Sequence, residues 1–470
     1  MSESTTPGSN DGTGNGLEGV VAMDEAAVRA ADRAHVFHSW SAQALIDPLP
    51  IASALGSYFT DYSGKRYLDF SSQLVNVNIG YQHPRLVAAI QEQAARLTTI
   101  SPAFANDARS EAARLIVEAA RHNSPQMDKV FFTNGGADAT ENAIRMARLH
   151  TGRHKILATY RSYHGATAGA MTMTGDPRRW GSEPGVPGVV HFWGPYPYRS
   201  PFHSENAEQE GERALQHLRD VLMVEGATNV AAIILESVVG TNGILVPPDG
   251  YLAGVRALCD EHGIILVADE VMSGFARAGE WFAIDHWGVA PDLITFAKGV
   301  NSGYLPLGGV IISRAVAASF DHRAFPGGLT YSGHPLACAS AVASINIFKD
   351  ERIVEHARDL GEVIGPELEA LAADHPSIGE VRGLGVFWAL ELVKDRQTRE
   401  PLVPFNASGA AAGPMNEFSA ACKERGLWPF VHFNRTHIVP PCTTTEAEVR
   451  EGLAILDEAL KVADQYTTGQ

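Results

Sequence analysis

Lys298 stands at the end of an apolar run, Leu293-Ile294-Thr295-Phe296-Ala297, and a glycine-rich turn follows it, GVNSGYLPLGG (299–309). A lysine in that position is either a charge leaving for solvent or an amine held in a pocket. An amine kept from water has a lowered pKa and becomes a nucleophile. Two more apolar runs end on ionisable groups, VAAIILE (230–236) on Glu236 and LVAD (266–269) on Asp269. For any one of the three, a strand-end charge meeting water is the simpler reading. Three together, each followed by a turn, fit a site beyond the carboxyl ends of parallel strands.

The run KVFFTN (129–134) passes through Gly135, Gly136 and Ala137 into helical sequence. A glycine turn at a helix N-terminus exposes backbone N–H groups and the positive end of the helix dipole, a cradle for phosphate. An ordinary tight turn has the same sequence. No Gly-Lys-Ser/Thr follows and no GxGxxG is present, so neither a Walker loop nor a dinucleotide is indicated. Tyr163-His164-Gly165 sets an aromatic ring and an imidazole at the next strand-to-loop junction, where a planar ligand could stack; alone, this too reads as structural. A phosphate cradle, an aromatic platform, a strand-end carboxylate and a strand-end lysine together meet the needs of pyridoxal phosphate. Its phosphate must be held, its aldehyde joined to a lysine, its ring nitrogen paired with an acid and its ring sandwiched.

The elements that position these groups follow from periodicity. KVFFTN (129–134), KILATY (155–160), VAAIILE (230–236), IILVADE (264–270), DLITFAK (292–298) and LGGVIIS (307–313) are short apolar runs without alternation, which predicts a mostly parallel sheet covered on both faces. Helical spacing appears over 139–150 and 251–262. Residues 58–69 predict a hairpin about Ser63-Gly64, and 23–33 a helix. After about residue 344 long helical stretches (341–349, 353–373, 416–424, 446–462) alternate with strands at 385–392 and 437–441. The expected plan is α/β: a tail at 1–22, an N-terminal segment 23–75 belonging to a small domain, a large domain 76–344, and a small α+β domain 345–470. Residues 2–16 are small, polar and glycine-rich, a disordered composition.

The 470-residue chain has a net charge of -17, which argues against general affinity for nucleic acid or anionic membranes. Its four cysteines are scattered, with no CxxC, so neither a disulfide framework nor a metal site is expected. No signal segment or spanning run is found, and a cytoplasmic location is the expectation.

From about residue 36 to 460 the sequence resembles the class III pyridoxal-phosphate aminotransferases of fold type I. The resemblance is carried by GYQHP (80–84), FFTNGGADATENAIRMAR (131–148), YHG (163–165), ILESVVGTNGILVPPDGYL (234–252), LVADEVMSGFARAGEWFA (266–283), PDLITFAKGVNSGYLPLGGVI (291–311) and LTYSGHPLACASAVA (329–343). It implies a seven-stranded large-domain sheet and pyridoxal phosphate as cofactor. Lys298 would be the Schiff-base lysine and proton carrier, and Asp269 the partner of the ring nitrogen. Tyr163 and Val271 would flank the ring, with His164 beside it. Gly136 and Ala137 would give N–H groups to the phosphate, Gly135 standing where many relatives have serine. Glu236 would order the site. Thr330 would reach the phosphate of a neighbouring subunit, making a homodimer, or a tetramer built from it, the working unit.

Two departures bear on substrate. Ornithine- and 4-aminobutyrate-type members pair a glutamate with a C-terminal arginine; here those positions hold Thr241 and His437. Where many pyruvate-using members have an arginine, this chain has Phe430, and Arg435 is the nearest candidate to take a keto-acid carboxylate; a surface arginine is the alternative. The segments 35–50 and 68–80 look most like the branch acting on taurine, hypotaurine, β-alanine and similar ω-amines. Trp40 would line the pocket, or be core, and Phe104 could enter from a partner subunit. The expected reaction is ping-pong transfer of an amino group from an ω-amine to pyruvate or 2-oxoglutarate. A broad amine transaminase, or an aminomutase, racemase or decarboxylase of the same fold, is the alternative.

Overall fold

The computed structural model describes residues 23–468; the expected disordered stretch 2–16 and the rest of the 1–22 tail lie outside the described residues. The chain divides into two compact units, one of Met1–Ser53 with Thr60–Arg66 and one of Ala54–Phe59 with Tyr67–Gln470. The first, described from Met23 onward, carries the helix Glu25–His35, where the Asp24 carboxylate accepts from the Ala27 N–H at 2.8 Å and caps the N-terminus.

The second unit is built on a seven-stranded sheet. Its strands are β1 (Met127–Thr133), β2 (Lys155–Thr159), β3 (Val189–Phe192), β4 (Val230–Glu236), β5 (Ile265–Asp269), β6 (Leu293–Phe296) and β7 (Gly308–Ser313), in the order β1-β7-β6-β5-β4-β2-β3. β7 runs antiparallel to both its neighbours, and the other four pairings of this sheet are parallel. Both faces are covered, which is why the runs do not alternate. Ile156, Ala158, Ile234, Val267, Leu293 and Val310 join one core with Ala139, Ala143, Ile144 and Met146 of the helix Gly136–Thr151. The intervening residues Leu157, Ile233, Leu235, Leu266, Ala268, Ile294 and Ile311 turn to the opposite core with Leu115, Leu252 and Val255.

Six of the seven strands lie where periodicity expects them. The missed one, β3, is a four-residue edge strand, Val-Val-His-Phe, too short for a periodic signal. The C-terminal part carries an antiparallel sheet of β8 (Ile378–Leu384), β9 (Phe387–Asp395), β10 (Phe430–His432) and β11 (Arg435–Ile438), ordered β8-β9-β11-β10. β11 begins two residues before the expected run 437–441 and stops at Ile438, ahead of Pro440-Pro441, which cannot donate to a ladder. All four cysteines are free and buried.

Candidate active site

Strand register brings the ionisable groups together. Glu236 at the end of β4 lies directly across from Asp269 at the end of β5, and Asp269 lies across from Thr295 of β6. The Thr295 hydroxyl donates to Asp269 Oδ1 at 3.0 Å, and the Val271 N–H donates to the same oxygen at 3.1 Å. Lys298 follows two residues beyond β6, at the start of the short 3-10 helix Lys298–Asn301. It takes φ +45°, a left-handed conformation that a residue with a Cβ holds only when its surroundings impose it. Here they do: the preceding run is buried, and a Cβ on the next residue, Gly299, would collide with Asn78.

A cavity of about 250 Å³ opens at these strand ends. Lys298, Asp269, Glu236, His164, Tyr163, Val271, Gly136 and Ala137 all line it, as do Thr241, Ala166 and Met272. Gly135 is the N-cap of Gly136–Thr151, and no side chain caps that helix. Its first N–H groups are thus left for a ligand. A Cβ on Gly136 would come within 2.7 Å of Val271 Cγ1, whereas one on Gly135 would meet nothing within 4 Å. That open space suits the serine expected at this position in relatives.

The charges are strongly coupled. Burial pushes the Lys298 amine down to about 8, against the pull of Glu236 and Asp269, and the guanidiniums of Arg178 and Arg277 push the same way as burial. Burial, with Asp269 nearby, pushes Glu236 up to about 7, although it accepts from the Tyr163 N–H at 2.9 Å and the Gly240 N–H at 2.8 Å. Burial would lower His164, but its hydrogen bond from Nδ1 to Asp269 Oδ2 at 2.6 Å and the Asp269 charge outweigh it and raise the imidazole above its ordinary value. His164 Nε2 is buried with no partner among the described residues.

One participant escapes sequence reasoning. The Arg178 guanidinium lies 3.7 Å from the centre of the Tyr163 ring and pairs with Asp176, which also accepts from the Arg178 N–H at 2.9 Å and the Asn242 amide at 3.1 Å. The run Asp176-Pro177-Arg178-Arg179 has no spacing that announces this; only the fold stacks a cation on Tyr163.

Other expected residues lie elsewhere. Thr330 is exposed and Phe104 is 61% exposed; neither lines this cavity in a single chain. Trp40 belongs to the first unit and is 65% exposed, so it is not core within this chain. Arg435 is not a surface arginine: it is 6% exposed on β11, with Nε 3.4 Å from Glu391, and it lines a second cavity. His437 is buried, and burial, with His432 adding, pushes its imidazole down to about 3, so the position carries no cation near neutral pH.

Comparison with known proteins gives the family. The model of the family "Aminotransferase class-III" matches residues 41–460. The chain belongs to the class III aminotransferases. Enzymes of this class use pyridoxal phosphate. Among similar proteins, an uncharacterised aminotransferase of Bacillus subtilis (strain 168) is 36% identical over 411 residues, covering 85% of this chain and 87% of that one. A taurine–pyruvate aminotransferase of Bilophila wadsworthia is 32% identical, covering 94% of this chain and 98% of that one. The solved taurine:2-oxoglutarate aminotransferase of Bifidobacterium kashiwanohense, in complex with PLP and glutamate, superposes with a TM-score of 0.91 at 40% identity, covering 95% of this chain and 99% of that one. This class III aminotransferase thus shares both fold and chemistry class with its relatives.

Proposed function

We propose that this aminotransferase moves an amino group from an ω-amino acid or amine, such as taurine, hypotaurine or β-alanine, to a keto acid, pyruvate or 2-oxoglutarate, by a ping-pong sequence. The observation that carries the reading is a single cavity holding a lysine lowered to about 8, two strand-end carboxylates and an uncapped helix N-terminus. Near pH 8 about half of such amines are neutral, against about 0.4% for an unperturbed lysine.

The residues fit pyridoxal phosphate. The N–H groups opening Gly136–Thr151, with Gly135 giving them room, would hold its phosphate. Tyr163 and Val271 would flank the ring, and Asp269, fixed by His164 and Thr295, would hold the proton on the ring nitrogen. When bound, the cofactor supplies a ring that accepts the charge left as the substrate carbon loses a proton. Lys298 Nζ would hold the aldehyde at rest and, once the substrate amine displaces it, would be free to take that proton and give it back within the site. Glu236, titrating near 7 and bonded to the Tyr163 and Gly240 N–H groups, fixes the loop that carries the ring platform.

The substrate class is supported by the neutral Thr241 and His437 where other branches carry an ion pair, and by the taurine-named relatives. Arg435 is our assignment for the keto-acid carboxylate. We also infer a homodimer, in which the exposed Thr330 and Phe104 would complete a neighbouring site. Among the described residues no helix is long and apolar enough to cross a membrane, and we assign a cytoplasmic location. The test is a half-reaction: taurine, hypotaurine or β-alanine alone converts the bound cofactor to its amine form, one equivalent of aldehyde being released. Loss of the amine's carboxyl group, or isomerised product, would replace this reading by a decarboxylase or mutase.

A further inference from the structure

A third cavity, of about 30 Å³, lies at the carboxyl ends of β2, β3 and β4, which are neighbours in the sheet. Thr159 is the last residue of β2, Trp193 and Tyr196 follow β3, and Leu235 and Glu236 end β4. Tyr251, the first residue of the helix Tyr251–His262, completes the wall. Glu236 lines the cofactor cavity as well, so the two cavities share this one acidic residue. The volume exceeds the roughly 10–15 Å³ that a single water needs and falls far below the roughly 300–1,000 Å³ of sites for organic ligands.

The polar atoms of this wall fall into two sets. The Tyr196 hydroxyl donates to Glu391 and the Ser237 hydroxyl to Glu270. The hydroxyls of Thr159 and Tyr251 are buried with no partner among the described residues, and so is Nη1 of Arg161, which also lines the second cavity. Thr159 is 5% exposed and Tyr251 3%. Burial raises the Tyr251 phenol above its ordinary value, so it stays a neutral donor. A phenylalanine would fill the same space without burying a hydroxyl, and a buried hydroxyl without a partner costs free energy. Glu236 takes one N–H on each oxygen, from Tyr163 and from Gly240, and each oxygen keeps room for a second donor. Water both donates and accepts, and buried waters settle where two to four polar partners converge.

We propose that this cavity is a built site for ordered water, held by the hydroxyls of Tyr251 and Thr159 and bonded to the Glu236 carboxylate on the side opposite the cofactor cavity. Tyr251 is thereby a positioning residue, acting on the cofactor cavity through the water and Glu236. The water hydrates a carboxylate that otherwise meets backbone N–H groups, and so favours its charged form. Protonation would turn one carboxyl oxygen from acceptor to donor and weaken its hold on the Tyr163 or Gly240 N–H. Hydration therefore keeps the Tyr163 platform tied down. That consequence rests on the cofactor reading above; the water site does not.

The test is infrared difference spectroscopy of the cofactor-loaded enzyme against pH, reading the C=O stretch of protonated Glu236, with Glu236→Gln to assign the band. Around Glu236 the cofactor cavity presents Tyr163, His164, Asp269 and Lys298, and the third cavity presents Tyr160, Arg161, Tyr196 and Tyr251. Tyr251→Phe removes one hydroxyl and none of the charged groups, and Thr159→Val does the same at the other anchor. With the water lost the carboxylate is less solvated, so the midpoint rises by about one pH unit in Tyr251→Phe, roughly a tenfold tighter hold on the proton. Thr159→Val moves it the same way and keeps the test open if Tyr251→Phe fails to fold. Unchanged midpoints overturn the proposal, since a merely structural tyrosine moves none. Crystals of the cofactor-loaded enzyme should show water within hydrogen-bond distance of the Tyr251 oxygen and of Glu236, absent in Tyr251→Phe; a dry wild-type cavity overturns the site without any titration. An equal rise in the acid limb of the amine half-reaction supports the positioning role. A moved band with an unmoved limb overturns that role and leaves the water site standing.

Discussion

Two cavities of this enzyme handle charge in opposite ways. In the cofactor cavity one amine, one imidazole and two carboxylates face each other, and hydrogen bonds fix both Asp269 and Glu236 while leaving each carboxylate acceptor capacity for a ligand. In the second cavity, lined by Arg161, Arg199 and Arg435, these guanidiniums and that of Arg382 lie about Glu391 and Glu380, and nitrogens of Arg161 and Arg199 are buried with no partner among the described residues. The first arrangement tunes proton affinity by burial, which moves Lys298 down and Glu236 up until the two overlap near neutral pH. The second raises no proton question, since arginine stays charged. Coupled titration suits a group that must gain and lose protons. Uncompensated fixed charge suits recognition.

The sharpest way to break this contrast is Lys298→Ala. Transamination should fall by at least about 10³-fold, because nucleophile and proton carrier go together. Full activity in this variant would sink the central assignment.

A second expected effect, of about a hundredfold, concerns reactivity. With the Lys298 amine at about 8, its reductive methylation in the cofactor-free chain should rise with pH, reach half its limit near pH 8 and level off above. Surface lysines should still be climbing there. Mass spectrometry of the 298 peptide gives the midpoint; a value near 10.4 would mean that the amine sees water.

Arg435→Ala should raise the KM for the keto acid about tenfold with little change in kcat. An unchanged KM removes Arg435 from recognition. The same variant probes stability. Glu391 sits below its unfolded value, so its contribution is fully present above about pH 4.3 and is lost as pH falls toward its folded value. Acid unfolding should therefore separate wild type from Arg435→Ala at neutral pH, and the curves should converge below pH 4.

The smallest effects come from the cradle. Gly136→Ala sets a methyl against Val271 and should weaken cofactor binding by about 1–3 kcal/mol of overpacking, read from cofactor titration of the apo chain. Gly135→Ser enters open space and should bind normally. Equal weakening by both would deny the helix end its part in the site.

Much of this was legible in advance because its cause is local. β4 carries seven buried residues in a row and ends on Glu236, and periodicity alone marks such a strand and its end. The edge strand β3 was missed because four residues do not make a period. Arg178 was missed because no rule of spacing links it to Tyr163, fifteen positions earlier. Thr330 and Phe104 were named from resemblance, and a single chain leaves both exposed.

The sequence by itself determined the α/β plan and the set of residues offered to the cofactor, since buried parallel strands are written as apolar runs and a ligand crevice lies at their carboxyl ends. It also placed the family, through motifs spread over most of the chain. Only the tertiary structure decided which charges are balanced. Arg161, Arg199, Arg382, Glu391 and Arg435 come from distant segments, and whether a guanidinium has an acceptor depends on distances in space that no interval along the chain encodes. Strand ends are a property of short stretches; electrostatic satisfaction is a property of the packed whole.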